Sequence, residues 1–597
     1  MNFFNLNLPA KAVLLLGILL IFVSSVRSQS EMIESAKKDY LSGDYSNFSS
    51  KMREILDWNI EDPTKEILEG LFLLQDNDLN KRRIAGKLIQ KNVPRLRNDP
   101  FSDFAMGILY KKQNNHSHAK KYFERAIGKN DRMIAALIEL GEYHFREMLK
   151  YYNRYTDTEI PMSYRDYALE DYDYAVSYLR RVLRYDPKNK EAAYLLGNLY
   201  YEQNEMVYMK QLFQDMLQYY PRDRNLNLFL GLVCLRNREY LEASQYFGNA
   251  LAVMNDEEKD GFFNPEYLRR DRKDNSHDTL IAHFWSQRDP MFLTGENERL
   301  LEHFGRYAYA NLRFSVPKLE VEGWKTDRGK TYIRYGRPSY IVEYGKSMEL
   351  FQGLYPPMQI WVYPEFQLAF SDEFWNGLFQ FTQPGLNTKS MFKERTIINY
   401  SLVAEDVFRT VPEKFDFSLP GGVFETSYQI KFFKSQEKTE AMLAFSLPVE
   451  ETLYYPRQKF QAGLFLLNSE KLPFVRFKED FDLNLERDSS RIIADQLVKS
   501  LSFRHTDGTF QYSFEIMNNT LEKNFIDRQK MSIPAYGSDT LMISDIVLAD
   551  EILPQADSSQ IISCYTRNGL NILPNISQYF MQNDTLLVYF ELYNLDL

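Results

Sequence analysis

The sequence predicts a multidomain chain: an all-α helical repeat solenoid, then an α+β domain, then antiparallel β-sandwich modules. Three observations carry that prediction. Small residues recur at a spacing of 34 in the first half, the spacing stops at the charged segment 256–260, and short apolar or aromatic runs separated by turns fill the chain after Gly385. A length of 597 residues exceeds what a single core accommodates, so about three or four domains are expected. Hydrophobic residues at 44% and charged residues at 26% fit globular protein rather than long disorder. Lys plus Arg number 72 against 82 Asp plus Glu, and a formal charge of −10 gives no basic surface for nucleic acid. Two cysteines, Cys234 and Cys564, exclude a disulfide framework and a Cys-based zinc cluster.

The first element is an address. Lys11 precedes an apolar run from Ala12 to Val23, and Val26 and Ser28 supply small residues before Gln29. This is the pattern of a secretory signal peptide over 1–28, cleaved after Ser28; the run is shorter than a membrane span requires. The mature chain is expected to be exported to the periplasm or cell envelope, or beyond the cell, and not integral to a membrane.

Residues 29–98 read as a helical cap or degenerate repeats, and 99–256 as the repeat array. Met106-Gly107 is followed by Tyr110, Ala119, Phe123 and Ala126, and Leu140-Gly141 comes 34 residues later. Leu196-Gly197 and Leu230-Gly231 are again 34 apart, the latter completed by Ala243, Phe247 and Ala250. Between Gly141 and Gly197 the spacing is 56, which calls for an insertion of 22 near 151–171. A small residue in the first helix of each pair lets the second approach, and Pro187 and Pro221 end pairs. The pattern resembles the tetratricopeptide repeat. That resemblance implies a concave face for protein or peptide partners, carrying Lys112, Arg146, Asn198, Tyr201, Glu202 and Arg236. A groove filled from within the chain is the competing reading.

The segment 257–385 is the expected α+β domain. A helix follows Thr294, carrying Phe304, Arg306 and Tyr309-Ala310-Asn311. Gly323-Trp324-Lys325-Thr326-Asp327-Arg328-Gly329 then turns into an alternating stretch, 331–335, that reads as a strand. With Phe284-Trp285, Arg288-Asp289-Pro290 and the strand around Trp361, this block resembles the GWxTD domain of secreted bacterial proteins over 278–382, with Ser339 where that family commonly has Asp. The resemblance implies fold and export more than an activity. Two readings of Gly323, Trp324, Thr326, Asp327, Arg328, Gly329 and Trp361 stand side by side. One is a structural turn with Arg328 paired to Asp289 or Asp327; the other is a ligand pocket.

Beyond it, two β-sandwiches are expected, 386–484 and 485–597, with strands near 426–433, 441–447, 461–467, 511–516 and 541–548 and a short helix or crossover over 488–500. Seven histidines form no His-Glu-x-x-His pattern, and His277, His283 and His303 read as solvated or core residues. No phosphate loop or nucleophile elbow appears, so no catalytic residue, metal or cofactor is assigned. The sequence therefore points to an exported, non-enzymatic scaffold for protein–protein interaction. The alternative is an envelope hydrolase or glycan- or peptide-binding protein with its site around Trp324, Asp327, Arg328 and Trp361.

Overall fold

The computed structural model describes residues 28–595 apart from 155–161, 264–283, 345–355, 383–399, 449–454, 485–491, 494–495, 556–564, 583–584 and seven single positions (77, 114, 375, 416, 418, 437, 456). The expected signal peptide up to residue 27, Cys564, His277 and His283 lie outside them. The chain forms two compact units. One comprises residues up to 270 with 303–414, the other 271–302 with 415–597.

The first unit begins with helices α1 (28–41), α2 (Tyr45–Ile55), α3 (Pro63–Leu73) and α4 (Leu79–Asn92). Four longer-recognised pairs follow: α5 (Pro100–Lys112) with α6 (His116–Lys129), α7 (Ile134–Arg154) with α8 (Met162–Tyr185), α9 (Lys190–Glu202) with α10 (Met206–Tyr219), and α11 (Arg224–Arg236) with α12 (Tyr240–Val253). Close approach explains the glycines. A Cβ on Gly197 would lie 2.2 Å from the Phe213 ring, and one on Gly231 2.5 Å from Phe247. Gly70 meets Ile89 in the same way between α3 and α4, so the segment before Asp99 contains a pair of this kind. The expected insertion is in large part helix: α7 runs on to Arg154 and α8 starts at Met162, well before Ala175. Asn189 and Asp223 cap α9 and α11 through their side chains, which fixes where each pair starts.

The charged segment 256–260 is not a break. It opens α13 (Asp256–Phe263), where Asn255 and Glu258 exchange backbone-to-side-chain bonds of 2.9 Å in a reciprocal cap. Next come α14 (Glu298–Phe314), of which the residues from His303 on belong to this unit, and α15 (Asp327–Tyr335). The predicted strand at 331–335 is thus a helix. Thr326 caps it by accepting from Gly329 N, and Thr331, Tyr332, Arg334 and Tyr335 are buried on a helical spacing that mimics alternation over so short a stretch. An antiparallel sheet follows, ordered β1 (Tyr340–Tyr344), β2 (Met358–Val362), β3 (Gln367–Ser371) and β4 (Gln380–Thr382), and α16 (Tyr400–Thr410) closes the unit. Among the described residues no helix is long and apolar enough to cross a membrane.

In the second unit, β5 (Gly422–Val423), β6 (Tyr428–Ser435), β7 (Lys438–Pro448), β8 (Arg457–Leu467) and β9 (Pro473–Asn484) are followed by β10 (Ile492–Ile493), β11 (Gln496–His505), β12 (Gly508–Asn518) and β13 (Lys523–Ile533). They make one sandwich of two sheets, β10-β11-β7-β6 and β5-β13-β12-β8-β9. The expected division at 484–485 is therefore corrected, because β11 pairs along its whole length with β7. The expected crossover over 488–500 contains β10 and the start of β11. Ala441, Leu443, Phe445 and Leu447 of β7 face Leu464, Leu466, Phe514 and Ile516 inside the sandwich. Met442, on the opposite face of β7, joins Phe433 in packing on a further sheet. That sheet is ordered β16-β17-β15-β18, and β14 pairs with β19 beside it. Their ranges are β14 (Met542–Ile543), β15 (Val547–Pro554), β16 (Tyr565–Arg567), β17 (Leu570–Pro574), β18 (Leu587–Tyr589) and β19 (Leu592–Tyr593). Burial of both faces of β7 accounts for its nearly uninterrupted apolar run. The expected domain 257–385 is divided too: Met291, Phe292 and Leu293 pack on Phe465 and Leu467 of the sandwich.

Candidate functional site

The predicted concave face is occupied by the chain itself. Asn198 Nδ2 donates to Leu312 O at 2.7 Å, and Glu202 Oε1 accepts from the Tyr309 hydroxyl at 3.0 Å. Tyr201 lies 5.0 Å, ring to ring, from Tyr309, and Arg236 Nε donates to the Tyr201 hydroxyl at 2.9 Å. Leu312 and Tyr309 belong to α14, while Arg236 reaches that helix's contact through Tyr201. Further along that helix Phe304 meets Phe247 at 5.4 Å, and a Cβ on Gly305 would lie 2.5 Å from Leu235. Three of the six predicted face residues, Asn198, Tyr201 and Glu202, thus converge on one internal helix, and Arg236 braces Tyr201. Of the other two, Lys112 is half-buried at the end of α5, and the Arg146 guanidinium sits 5.7 Å from the Tyr143 ring centre. The sequence reading missed α14 as the occupant. Its signal was the aromatic and small residues of Phe304, Gly305 and Tyr309 on one helical face.

The Gly-Trp turn is built by that helix as well. Asn311 Oδ1 accepts from Trp324 N at 3.1 Å, and Ser315 Oγ accepts from Gly323 N at 2.9 Å. The indole of Trp324 stacks on Tyr307 at 5.4 Å, and its Nε1 donates to Glu322 Oε2 at 2.7 Å. Thr326 Oγ1 donates to Gly323 O at 2.7 Å while accepting from Gly329 N at 3.0 Å. A Cβ at Gly323 would fall 1.9 Å from Ala310 O, and one at Gly329 1.8 Å from Gly323 O, so neither position admits a side chain. Asp327 Oδ2 accepts from Phe381 N at 2.9 Å, tying α15 to β4.

The predicted ion pair of Arg328 is corrected. Its guanidinium donates to Gln359 Oε1 at 3.3 Å and Gly377 O at 3.4 Å, between the rings of Phe314 and Phe379 at 5.0 and 4.0 Å. Burial, with Arg313 nearby, holds its pKa down to about 9. Trp361 is 1% exposed, packed on Phe314 and Phe370, and its Nε1 shares Gln359 Oε1 with Arg328. Every predicted motif residue is thus engaged in bonds or packing within the first unit.

Two other clusters of titratable groups stand out. Cys234, Glu239 and Glu242 bring ligand atoms within 4.8 Å of one another. Lys210 Nζ donates to both carboxylates, at 2.6 and 2.8 Å, and burial pushes the Cys234 thiol up to about 12; the group as built holds an ammonium. In the second unit, Asp289 Oδ1 accepts from Met291 N at 3.1 Å, and Glu515 accepts from Leu293 N at 3.0 Å and Ser513 Oγ at 2.7 Å. Burial raises Asp289 to about 7 and Glu298 to about 8. Arg528, whose Nη2 binds Asp289 O at 2.9 Å, and Arg476 oppose the shift at Asp289. Burial thus favours the protonated form of Asp289 and Glu298.

Comparison with known proteins adds one family. A family model described as tetratricopeptide repeat matches residues 167–207, which span most of α8, all of α9 and the start of α10. Among solved structures the chain is similar to MamA of Desulfovibrio magneticus, at 16% identity and a TM-score of 0.25 over 32% of this chain and 96% of that one. It is similar to PilF of Pseudomonas aeruginosa at 14% identity and 0.26, over 34% and 80%. A tetratricopeptide-repeat protein of Thermus thermophilus shows 15% identity and 0.25, over 32% and 91%. No curated protein sequence matches the chain. The N-terminal region thus carries tetratricopeptide repeats, a module that implies protein partners.

Proposed function

We propose that this protein is an exported, non-enzymatic scaffold for protein partners in the periplasm or cell envelope, combining tetratricopeptide repeats with a GWxTD-type domain. The observation that carries this reading is the occupied groove: Asn198, Tyr201 and Glu202 hold α14, and α14 holds the Gly-Trp turn. The array is joined to the turn by one helix, and recognition moves to its outer helices. There Val207 of α10 and Leu241 of α12, 34 residues apart in equivalent positions, are 77% and 66% exposed. A hydrolase or ligand site around Trp324, Asp327, Arg328 and Trp361 is less favoured, since these groups are spent on capping, stacking and packing.

The test is crosslinking capture from envelope fractions with the full mature chain beside Val207→Asp/Leu241→Asp. A defined set of proteins lost with the double variant supports the scaffold. Turnover of a glycan or peptide that disappears in Asp327→Asn at unchanged melting temperature favours the hydrolase. Export is tested separately, by amino-terminal sequencing of the fractionated protein: a mature end at Gln29 is expected, and an intact Met1 in the cytoplasm refutes it.

A further inference from the structure

A charged clasp holds residues 289–293 against the sandwich. Phe465 and Leu467 of β8, Met517 of β12 and Ile526 of β13 point away from the sandwich core, since strand alternation sends Leu464, Leu466 and Ile516 inward. Met291, Phe292 and Leu293 cover that outer face and are themselves buried. The polar contacts go to their main chain. Arg528 Nη2 donates to Asp289 O at 2.9 Å and Pro290 O at 3.0 Å, and Lys478 Nζ to Phe292 O and Leu293 O at 3.2 Å each. Glu515 Oε2 accepts from Leu293 N at 3.0 Å. The segment 289–297 has no helix or strand of its own, so these bonds and the apolar cover fix its place.

Three carboxyls gather at this segment. Glu515 and Glu298 are 0% and 4% exposed, and Asp289 is half-buried. They repel one another: Asp289 and Glu298 each feel the charge of Glu515, and Glu298 feels that of Asp289. Strand register puts Arg476 and Lys478 of β9 and Arg528 of β13 on the same outer face as Glu515. Among these groups the one ion pair is that of Arg528 with Glu515, at 3.7 Å. Burial is the largest influence on all three carboxyls and raises each of them. In place they hold protons that the same groups would release in water.

We propose that residues 289–298 are a pH-sensitive strap, closed over the outer face of the sandwich in acid and released as the pH rises, while the sandwich beneath stays folded. The sign follows from the protons. Hydrated carboxyls ionise near about pH 4, whereas in place Asp289 reaches about 7 and Glu298 about 8. Closure is therefore strongest below about pH 4 and weakens steadily until the pH passes about 8. Arginine keeps its charge across this range, so Arg476 and Arg528 do not drive the change. Lys478, lowered by burial, acts in the opposite sense, since losing its proton favours the closed form. Release uncovers Phe465, Leu467, Met517 and Ile526 beside cationic side chains.

The test is methionine oxidation to sulfoxide by dilute hydrogen peroxide in the full mature chain, mapped by peptide mass spectrometry. Thioether oxidation itself varies little over the pH range used. Met291 is the probe of the strap, and Met442, buried on β7, reports the sandwich. From about pH 5 to about pH 8.5 the Met291 rate is expected to rise at least about tenfold, with Met442 still protected. Asp289→Asn with Glu298→Gln should abolish that rise. Leu293→Asp, which breaks the apolar seat, should expose Met291 already at the acidic end. A Met291 rate that does not change with pH, Met442 oxidised in step with Met291, or an equal rise in the double variant would overturn the proposal. So would a Met291 still protected in Leu293→Asp.

Discussion

At Gly323 and Gly329 the absence of a side chain is a requirement of neighbouring backbone. The chain doubles back so tightly after α14 that a methyl group at Gly323 would occupy the position of Ala310 O. Gly323→Ala is expected to cost about 3 kcal/mol or more, read as a drop in denaturant midpoint. Gly248, inside α12 with nothing within 4 Å, makes the opposite prediction: Gly248→Ala should stabilise by about 0.5–1 kcal/mol through helix propensity. Arg328 is a third case. Its guanidinium fills space between two rings with no carboxylate in ion-pair range among the described residues, so Arg328→Ala is expected to destabilise through lost packing, with Lys a poor substitute for the planar group. Gly-Trp-Lys-Thr-Asp was recognisable in the sequence as a turn. The reason for each residue was not, because Ala310, Asn311 and Phe379 come from other elements.

Among the elements, α14 makes the most demanding contacts. Tyr309 stacks on Tyr332 at 4.3 Å while its hydroxyl reaches Glu202. Tyr309→Phe removes the hydroxyl bond alone and should cost about 1–2 kcal/mol, whereas Tyr309→Ala also opens a cavity and should cost about 3–5 kcal/mol. Equilibrium denaturation of both variants separates bond from packing. Amphipathic period and end signals locate α14 in the sequence, yet its docking site lies more than 100 residues earlier, on α9. At α15 local pattern misleads: a nine-residue element offers too few periods to tell helix from strand, and the Thr326 cap decides.

For the molecule as a whole, the division into two units means that heat unfolding should show more than one transition. Asp289 at about 7 and Glu298 at about 8 belong to the second unit. Their native pKa values exceed those of the unfolded chain, so between about pH 4 and pH 8 the native state holds more protons. Stability of that unit is therefore greatest at the acidic end of this window and declines as pH rises through it. Calorimetry should show one transition falling by several degrees from pH 5 to pH 8, and Asp289→Asn with Glu298→Gln should flatten that slope without moving the other transition.

The repeat helices are legible from sequence because each depends on neighbours close by: a cap, a glycine and an aromatic residue one helix away recur at a constant interval. Turn-bounded β runs are legible for the same local reason. Which strands share a sheet, and which side of the repeats stays open, depend on contacts between distant segments. β7 meets β11 some fifty residues on, and α14 enters a groove that composition alone would leave to a partner. Burial selects those pairings through shape and unmet hydrogen bonds, quantities that exist only once the chain has folded.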